Sequence, residues 1–171
     1  LELIGKPMIS KLQISMLVLA LSIFQSAIAQ TPEWSWAKSA GETDYQEGST
    51  MATDGNGNVF VAGIFLNAPI TFGTTTLQNQ GLYDVFLVKY DPLGNVLWAT
   101  SYGGAGSDYP IAMEIDTAGN IFIAGHFDGV NTTFGNFNLV NQGSSLSKDL
   151  FITKLNSNGD VLWLKSGGGE E

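Results

Sequence analysis

Four acidic residues, Asp44, Glu47, Asp108 and Glu114, are the side chains whose chemistry comes nearest to that of an enzyme. Two carboxyls held close together can act as acid and base, or as acid and nucleophile, in glycoside hydrolysis, and folding could gather these four at one rim. None lies in an aromatic-rich segment that would bury it and tune its ionisation, and acids in loops are ordinarily solvated. His126 is the single histidine, and it aligns with Ile64 of an earlier repeat, which marks a packed or rim residue rather than a general base. The chain has no cysteine, which removes thiolate nucleophiles, disulfides and the usual zinc sites. No catalytic, cofactor-binding or metal-ligating residue is assigned, no cofactor is expected, and the reading is of a non-enzyme.

Two motifs imitate ion sites. Gly103-Gly104-Ala105-Gly106-Ser107-Asp108 matches a calcium-binding nonapeptide, but that motif works only when stacked every nine residues, and here it reads as an exposed, flexible loop between repeats. Asp-x-x-Gly-Asn occurs at 54–58, 91–95 and 116–120, with a permuted form, Asn-x-x-Gly-Asp, at 156–160. Calcium takes six to eight oxygens and needs denser carboxylates, so these are read as tight hairpin turns in which Asp accepts local amides and Gly takes a positive φ. Asn131-Thr132-Thr133 is a formal glycosylation sequon that carries no argument here.

All 7 cations are lysines against 16 acids, a net charge of −9, so bidentate arginine contacts to phosphate or guanine are unavailable and nucleic acid is not an expected partner. An apolar run from Ile14 to Phe24 follows Lys6 and Lys11 and precedes Ala27-Ile28-Ala29, the pattern of a secretory signal peptide. The run is too short to span a membrane, so residues 1–29 are read as a cleaved leader, with a true start at Met8 as an option, and no transmembrane helix is expected. The protein is therefore expected to be secreted or displayed at the cell surface.

The rest of the chain repeats itself. Trp36, Trp98 and Trp163 recur at spacings of 62 and 65. Asp54, Gly57-Asn58, Gly63, Thr71-Phe72-Gly73 and Asn79-Gln80-Gly81 return 62 residues later, whereas Asp84, Phe86, Lys89, Gly94 and Val96-Leu97 return 65 later. The three extra residues fall between Gly143 and Asp149, in a Ser-rich stretch that reads as a surface loop. Within each unit, residues 58–65, 84–90 and 96–101, their counterparts at 120–127, 149–155 and 161–166, and a pair at 49–54 and 111–116 read as short strands with 49–54 the weaker. Both parities are apolar, as in DVFLVKY at 84–90, which is how sheets covered on two faces read. The fold expected is all-β: β-propeller blades of about four antiparallel strands per repeat of ~62 residues, in an incomplete ring. The tryptophans are assigned to packing between blades, and the mid-strand Gly63 and Gly125 to close backbone approach near a crowded axis.

Gly103 to Asp108, Asp116 to Gly125, Asp84 to Tyr90, Asp149 to Leu155 and Gly94 to Trp98 together resemble the SBBP β-propeller repeat of secreted and surface bacterial proteins. The resemblance covers residues 36–171 and departs from the pattern at Ala40-Gly41-Glu42 and in the polar stretch 49–53. It divides the chain into a linker at 30–35, repeats at 36–97 and 98–162, and the start of a truncated third at 163–171. It implies a non-catalytic scaffold or binding module, a fragment of a larger repeat protein, with partners such as protein or glycan at its rim loops and further blades of the same full-length chain. The alternative is a piece of a quinoprotein-like or glycosidase-like propeller enzyme whose catalytic residues lie elsewhere. Any site is expected among residues that differ between blades: the 144–147 insertion, His126 against Ile64, and 66–70 against 128–132.

Overall fold

The structure, a computed structural model, describes residues 35–41, 44–143 and 147–169. The expected leader at 1–29 with its optional start at Met8, most of the linker, Glu42, the first three insertion residues and the last two of the chain lie outside the described residues.

The described chain is all-β. Its strands are β1 (Gln46–Thr53), β2 (Val59–Leu66), β3 (Ile70–Phe72), β4 (Thr75–Leu77), β5 (Tyr83–Tyr90) and β6 (Val96–Gly104), then β7 (Asp108–Ile115), β8 (Ile121–Phe127), β9 (Asn131–Phe134), β10 (Phe137–Val140), β11 (Asp149–Leu155) and β12 (Val161–Gly167). No helix among the described residues is long and apolar enough to cross a membrane. Strands β1-β2-β5-β6 and β7-β8-β11-β12 form two antiparallel meanders, propeller-like blades that do not close a ring. The sequence period counted from each Trp is thus out of phase with the sheets, because Trp98 and Trp163 sit on the last strand of their blades.

The doubled apolar parity has a direct structural cause. Phe60, Ala62, Val85, Leu87 and Tyr102 on one face of the first blade pack with Met113, Ile121, Ile123, Phe127, Phe134 and Phe151 of the second. The alternate residues of the first blade, Phe65, Phe86, Val88 and Tyr90, cover Ile70, Phe72 and Leu77 on its other face. A strand with a sheet on one side and a hairpin on the other has no water-facing side to make polar.

Hairpins β3-β4 and β9-β10 are additions to the expected four strands per unit. The second pairs through Thr132 and Thr133 with Gly104 and Gly103 of β6, so a hairpin of the second blade extends the sheet of the first. Tyr102 of β6 stacks on Phe134 of that hairpin, with ring centroids 5.0 Å apart, and donates its hydroxyl to the Gly159 carbonyl at 2.6 Å. The stretch at 49–53 is a full strand despite its polarity, because β1 pairs along its length with β2.

Trp98 docks one blade on the next, as the sequence implied. A Cβ on Gly159 would lie 3.3 Å from the Trp98 ring, so Trp98 of the first blade lies under the β11-β12 turn of the second. Trp36 sits likewise over Gly94 and donates its indole N–H to the Pro92 carbonyl at 3.1 Å. Gly63 and Gly125 do require close backbone approach. A Cβ at Gly63 would strike the Glu47 carbonyl, brought near by a bulge in β1, and the Phe86 ring at 2.6 Å; Gly125 meets the Tyr109 carbonyl and the Phe151 ring in the same way.

Candidate functional site

Antiparallel pairing sends the two ends of every strand to opposite rims, and the rims differ in kind. One carries the turns at 54–58, 91–95, 116–120 and 156–160. In the third, Asp116 Oδ1 accepts the amides of Ala118 at 2.9 Å and Asn120 at 2.8 Å, while the Asn120 side chain donates to Oδ2 at 2.8 Å. The first two turns repeat that pattern, and in the last Asn156 accepts the amides while Asp160 takes the side-chain bond. The Gly of each has φ between +78° and +87°. The side chain of Asn95 and then its amide hold the Asp91 carboxyl below its ordinary range, and those of Asn120 do the same for Asp116. Lys89 reaches Asp54 at 3.9 Å, Lys154 reaches Asp116 at 3.8 Å, and each lysine lies over the Phe of its own blade, Phe60 or Phe122. The repeated polar residues here are spent on making one turn four times.

The opposite rim gathers what differs. Tyr45, Tyr83, Tyr109 and His126 form a strip of rings: Tyr45 and Tyr83 edge to face at 6.1 Å, Tyr83 and Tyr109 tilted at 5.4 Å, Tyr109 and His126 stacked at 5.0 Å. Lys148 lies over the Tyr109 ring at 5.6 Å, and Tyr45 donates its hydroxyl to Glu47. By the repeat offsets Tyr45, Tyr83, Tyr109 and His126 correspond to Ser107, Lys148, Glu47 and Ile64, so every member is specific to its blade. Burial, with Lys148 nearby, lowers the His126 pKa against the opposing pull of Asp128. The hydrogen bond to Glu47 raises the Tyr45 pKa.

The four sequence-nominated acids do not converge. Asp44 and Glu47 are exposed at this rim, whereas Glu114 is exposed near the other end of β7, about 20 Å along the strand from Asp108 at ~3.3 Å per residue. Asp108 is no exposed loop residue: it opens β7 at 0 % exposure, and its carboxylate accepts the Gly104 amide at 3.0 Å. The flexible loop shrinks to residues 105–107, with Ser107 itself buried and its amide bonded to Asp128. Asp84 is equally buried and faces Asp108 across Gly103. Paired carboxyls of this kind could do acid and base work only if a substrate reached them, and the backbone seals both. His126 is a rim residue, as read from sequence, and 66–70 and 128–132 both lie at this rim. Among the described residues no group of three or more His, Asp or Glu side chains is placed to hold a metal ion.

Sequence reasoning missed the strip because its members stand on β5, β7, β8 and the residue before β1, and only register brings them together. The Asn-Gln-Gly repeats were also seen without their role. Asp84 accepts the Gln80 amide and Asp149 the Gln142 amide, while Asn79 and Asn141 accept from Gly81 and Gly143.

No protein-family model matches the chain. It is 28 % identical over 110 residues to an uncharacterised WD repeat-containing protein of Acanthamoeba polyphaga mimivirus, a match covering 54 % of this chain and 8 % of that protein. It is 29 % identical over 100 residues to the regulatory protein FlaEY of Caulobacter vibrioides, covering 57 % of this chain and 10 % of that protein. The chain thus spans a tenth or less of the length of these relatives. Likeness to a WD repeat protein agrees with the repeated all-β meanders: this is a β-propeller-like repeat scaffold.

Proposed function

We propose that the chain is a non-catalytic binding scaffold of the SBBP type, part of a larger secreted or surface-displayed repeat protein, which presents the rim around Tyr45, Tyr83 and Tyr109 to a protein or glycan partner. One observation carries this reading: the blade-specific residues gather at one rim, while the other rim is four copies of the same turn. Residues that recur maintain the blade, and residues that vary are available for recognition. Tyrosine suits that task, since it offers a large apolar ring and a hydroxyl at little cost in side-chain entropy. Residues 1–29 serve export, and residues 36–97 and 98–162 are successive repeats. The acidity of the chain and its lack of arginine speak against nucleic acid.

The test is a titration of the isotopically labelled chain with a panel of oligosaccharides and with surface proteins of the source. Shifts confined to Tyr45, Tyr83, Tyr109 and their neighbours, lost in the Tyr83→Ala/Tyr109→Ala variant, are expected. Glycoside hydrolysis or quinone-dependent dye reduction by the purified chain would overturn the non-catalytic reading.

A further inference from the structure

Residues 36–41 repeat the outer strand of a blade without the strand that should lie beside it. Trp36-Ala37-Lys38-Ser39-Ala40-Gly41 aligns with Trp98 to Gly103 on β6, and with Trp163 to Gly168 along β12 and just past it. Trp36 is seated as Trp98 is: its ring lies on Gly94, and that of Trp98 on Gly159, at the same turn of the meander that follows. Trp36 also packs on Tyr90, with ring centroids 5.7 Å apart. Beyond the tryptophan the two segments part. Residues 99–103 are half-buried or buried, whereas residues 37–41 are exposed and no strand of the described residues pairs with them. The neighbouring hairpin has the same gap. Strand β9 pairs with both β10 and β6, but its counterpart β3 pairs with β4 alone among the described residues.

The two complete blades show what the absent neighbour must be. Strand β5 lies beside β6, and β11 beside β12, in one register: Lys89 opposite Trp98 and Lys154 opposite Trp163, Phe86 opposite Ser101 and Phe151 opposite Ser166. Each inner strand carries an aspartate one residue before this pairing starts. Its carboxyl takes the space that a Cβ would need on the facing glycine, Asp84 against Gly103 and Asp149 against Gly168. Gly41 is the third glycine of this set. Among the described residues a Cβ there would meet the flexible Gln46 side chain and no carboxyl. Glycine weakens a strand unless something approaches its backbone closely, so the vacant space beside Gly41 is itself informative.

We propose that residues 36–41 are a docking edge for one strand of the form Asp-apolar-Phe-apolar-x-Lys, the third strand of a blade formed elsewhere in the full-length protein, with Gly41 as the seat of its aspartate. The inference rests on the reading of the chain as part of a larger repeat protein. A second copy of the chain is not the occupant, because β6 and β12 already fill this edge in both of its blades. Unpaired N–H and C=O groups along an exposed edge are a template for an added strand: main-chain bonds supply affinity, and alternate side chains select the partner. The register of the two complete blades puts the partner's Lys opposite Trp36, its Phe opposite Ser39 and its Asp beside Gly41. Trp36 fixes one end of the edge on the first blade, and Gly41 leaves room at the other for a carboxyl.

The experiment is disulfide trapping between the full chain carrying Lys38→Cys and a synthetic peptide of residues 148–155 carrying Ile152→Cys, since the chain has no cysteine of its own. Ile152 faces Lys165, the counterpart of Lys38, and residues directly opposite in an antiparallel pair lie about 4.5 to 5.5 Å apart at Cα, within reach of a disulfide. In a glutathione buffer the Lys38→Cys chain should trap the peptide about tenfold better than the Ala37→Cys or Ser39→Cys chain, because a slip of one residue turns the side chain to the other face. The peptide with Asp149→Leu should lose that preference. Equal trapping at the three positions, no trapping, or undiminished trapping of the Asp149→Leu peptide would overturn the proposal. An immunoblot of the source separates it from the reading on which it rests. A longer product without register-specific trapping sinks the docking edge and leaves the larger repeat protein standing, whereas a product of 171 residues or fewer overturns both.

Discussion

Replacing Trp98 with alanine isolates the energy that holds one blade to the next, because Trp163 is a control within the same chain. Trp98 lies edge to face with Phe60 at 6.0 Å, and Trp163 stands in the same relation to Phe122 at 6.2 Å. Only Trp98 also packs under the turn of a following blade, 3.3 Å from a Cβ placed on Gly159. Both rings are half-buried. About 100 Å² of covered ring at ~25 cal/mol per Å² is worth about 2.5 kcal/mol, and the edge-to-face contact adds about 1 kcal/mol. Trp98→Ala should therefore cost about 3.5 kcal/mol. Trp163→Ala forfeits the ring contact and less covered surface, and should cost about 1.5 kcal/mol. Urea denaturation followed by far-ultraviolet circular dichroism, with equal slopes checked, reads the difference. Equal losses at the two sites would refute the assignment of Trp98 to the junction.

Gly63→Ala should cost about 1 to 3 kcal/mol by forcing a methyl group against the Glu47 carbonyl and the Phe86 ring, measured by the same denaturation. Asp116→Ala removes the acceptor of two amides and of the Asn120 side chain and should loosen the turn, visible as faster hydrogen exchange at Ala118 and Asn120. His126 makes stability depend on pH: its folded pKa lies below the usual 6.5, so the unfolded chain takes the proton first and stability declines as pH falls below 6.5. His126→Gln should abolish that part of the decline in a pH series of melting temperatures.

The blades were legible because their chemistry is local. A tight turn needs Asp, Gly and Asn at fixed offsets, and a strand covered on both faces needs apolar residues at both parities, so β2, β5, β8 and β11 and all four turns could be read directly. The hairpins at 70–77 and 131–140 have strands of three or four residues, too short for alternation to register, and their one signal was the recurrence of Thr-Phe-Gly at 71–73 and 133–135. Asp108 was misjudged because glycines on its N-terminal side mark a loop, whereas Gly103 and Gly104 owe their identity to the carboxyls and the hairpin backbone that crowd them. The ring strip was invisible for another reason. Tyr45, Tyr83 and Tyr109 become neighbours only through strand register and the stacking of blades, neither of which a single segment encodes.

Native-state hydrogen exchange tests most directly whether the two meanders form one stacked scaffold. Amides of Val85 and Leu87 in the first blade, Ile123 and Phe151 in the second, and the joining Gly104 and Thr132 pair should exchange with one common free energy that falls together under mild denaturant. Two distinct free energies, with Gly104 and Thr132 exchanging early, would mean that the blades fold separately and that the stacked scaffold is wrong.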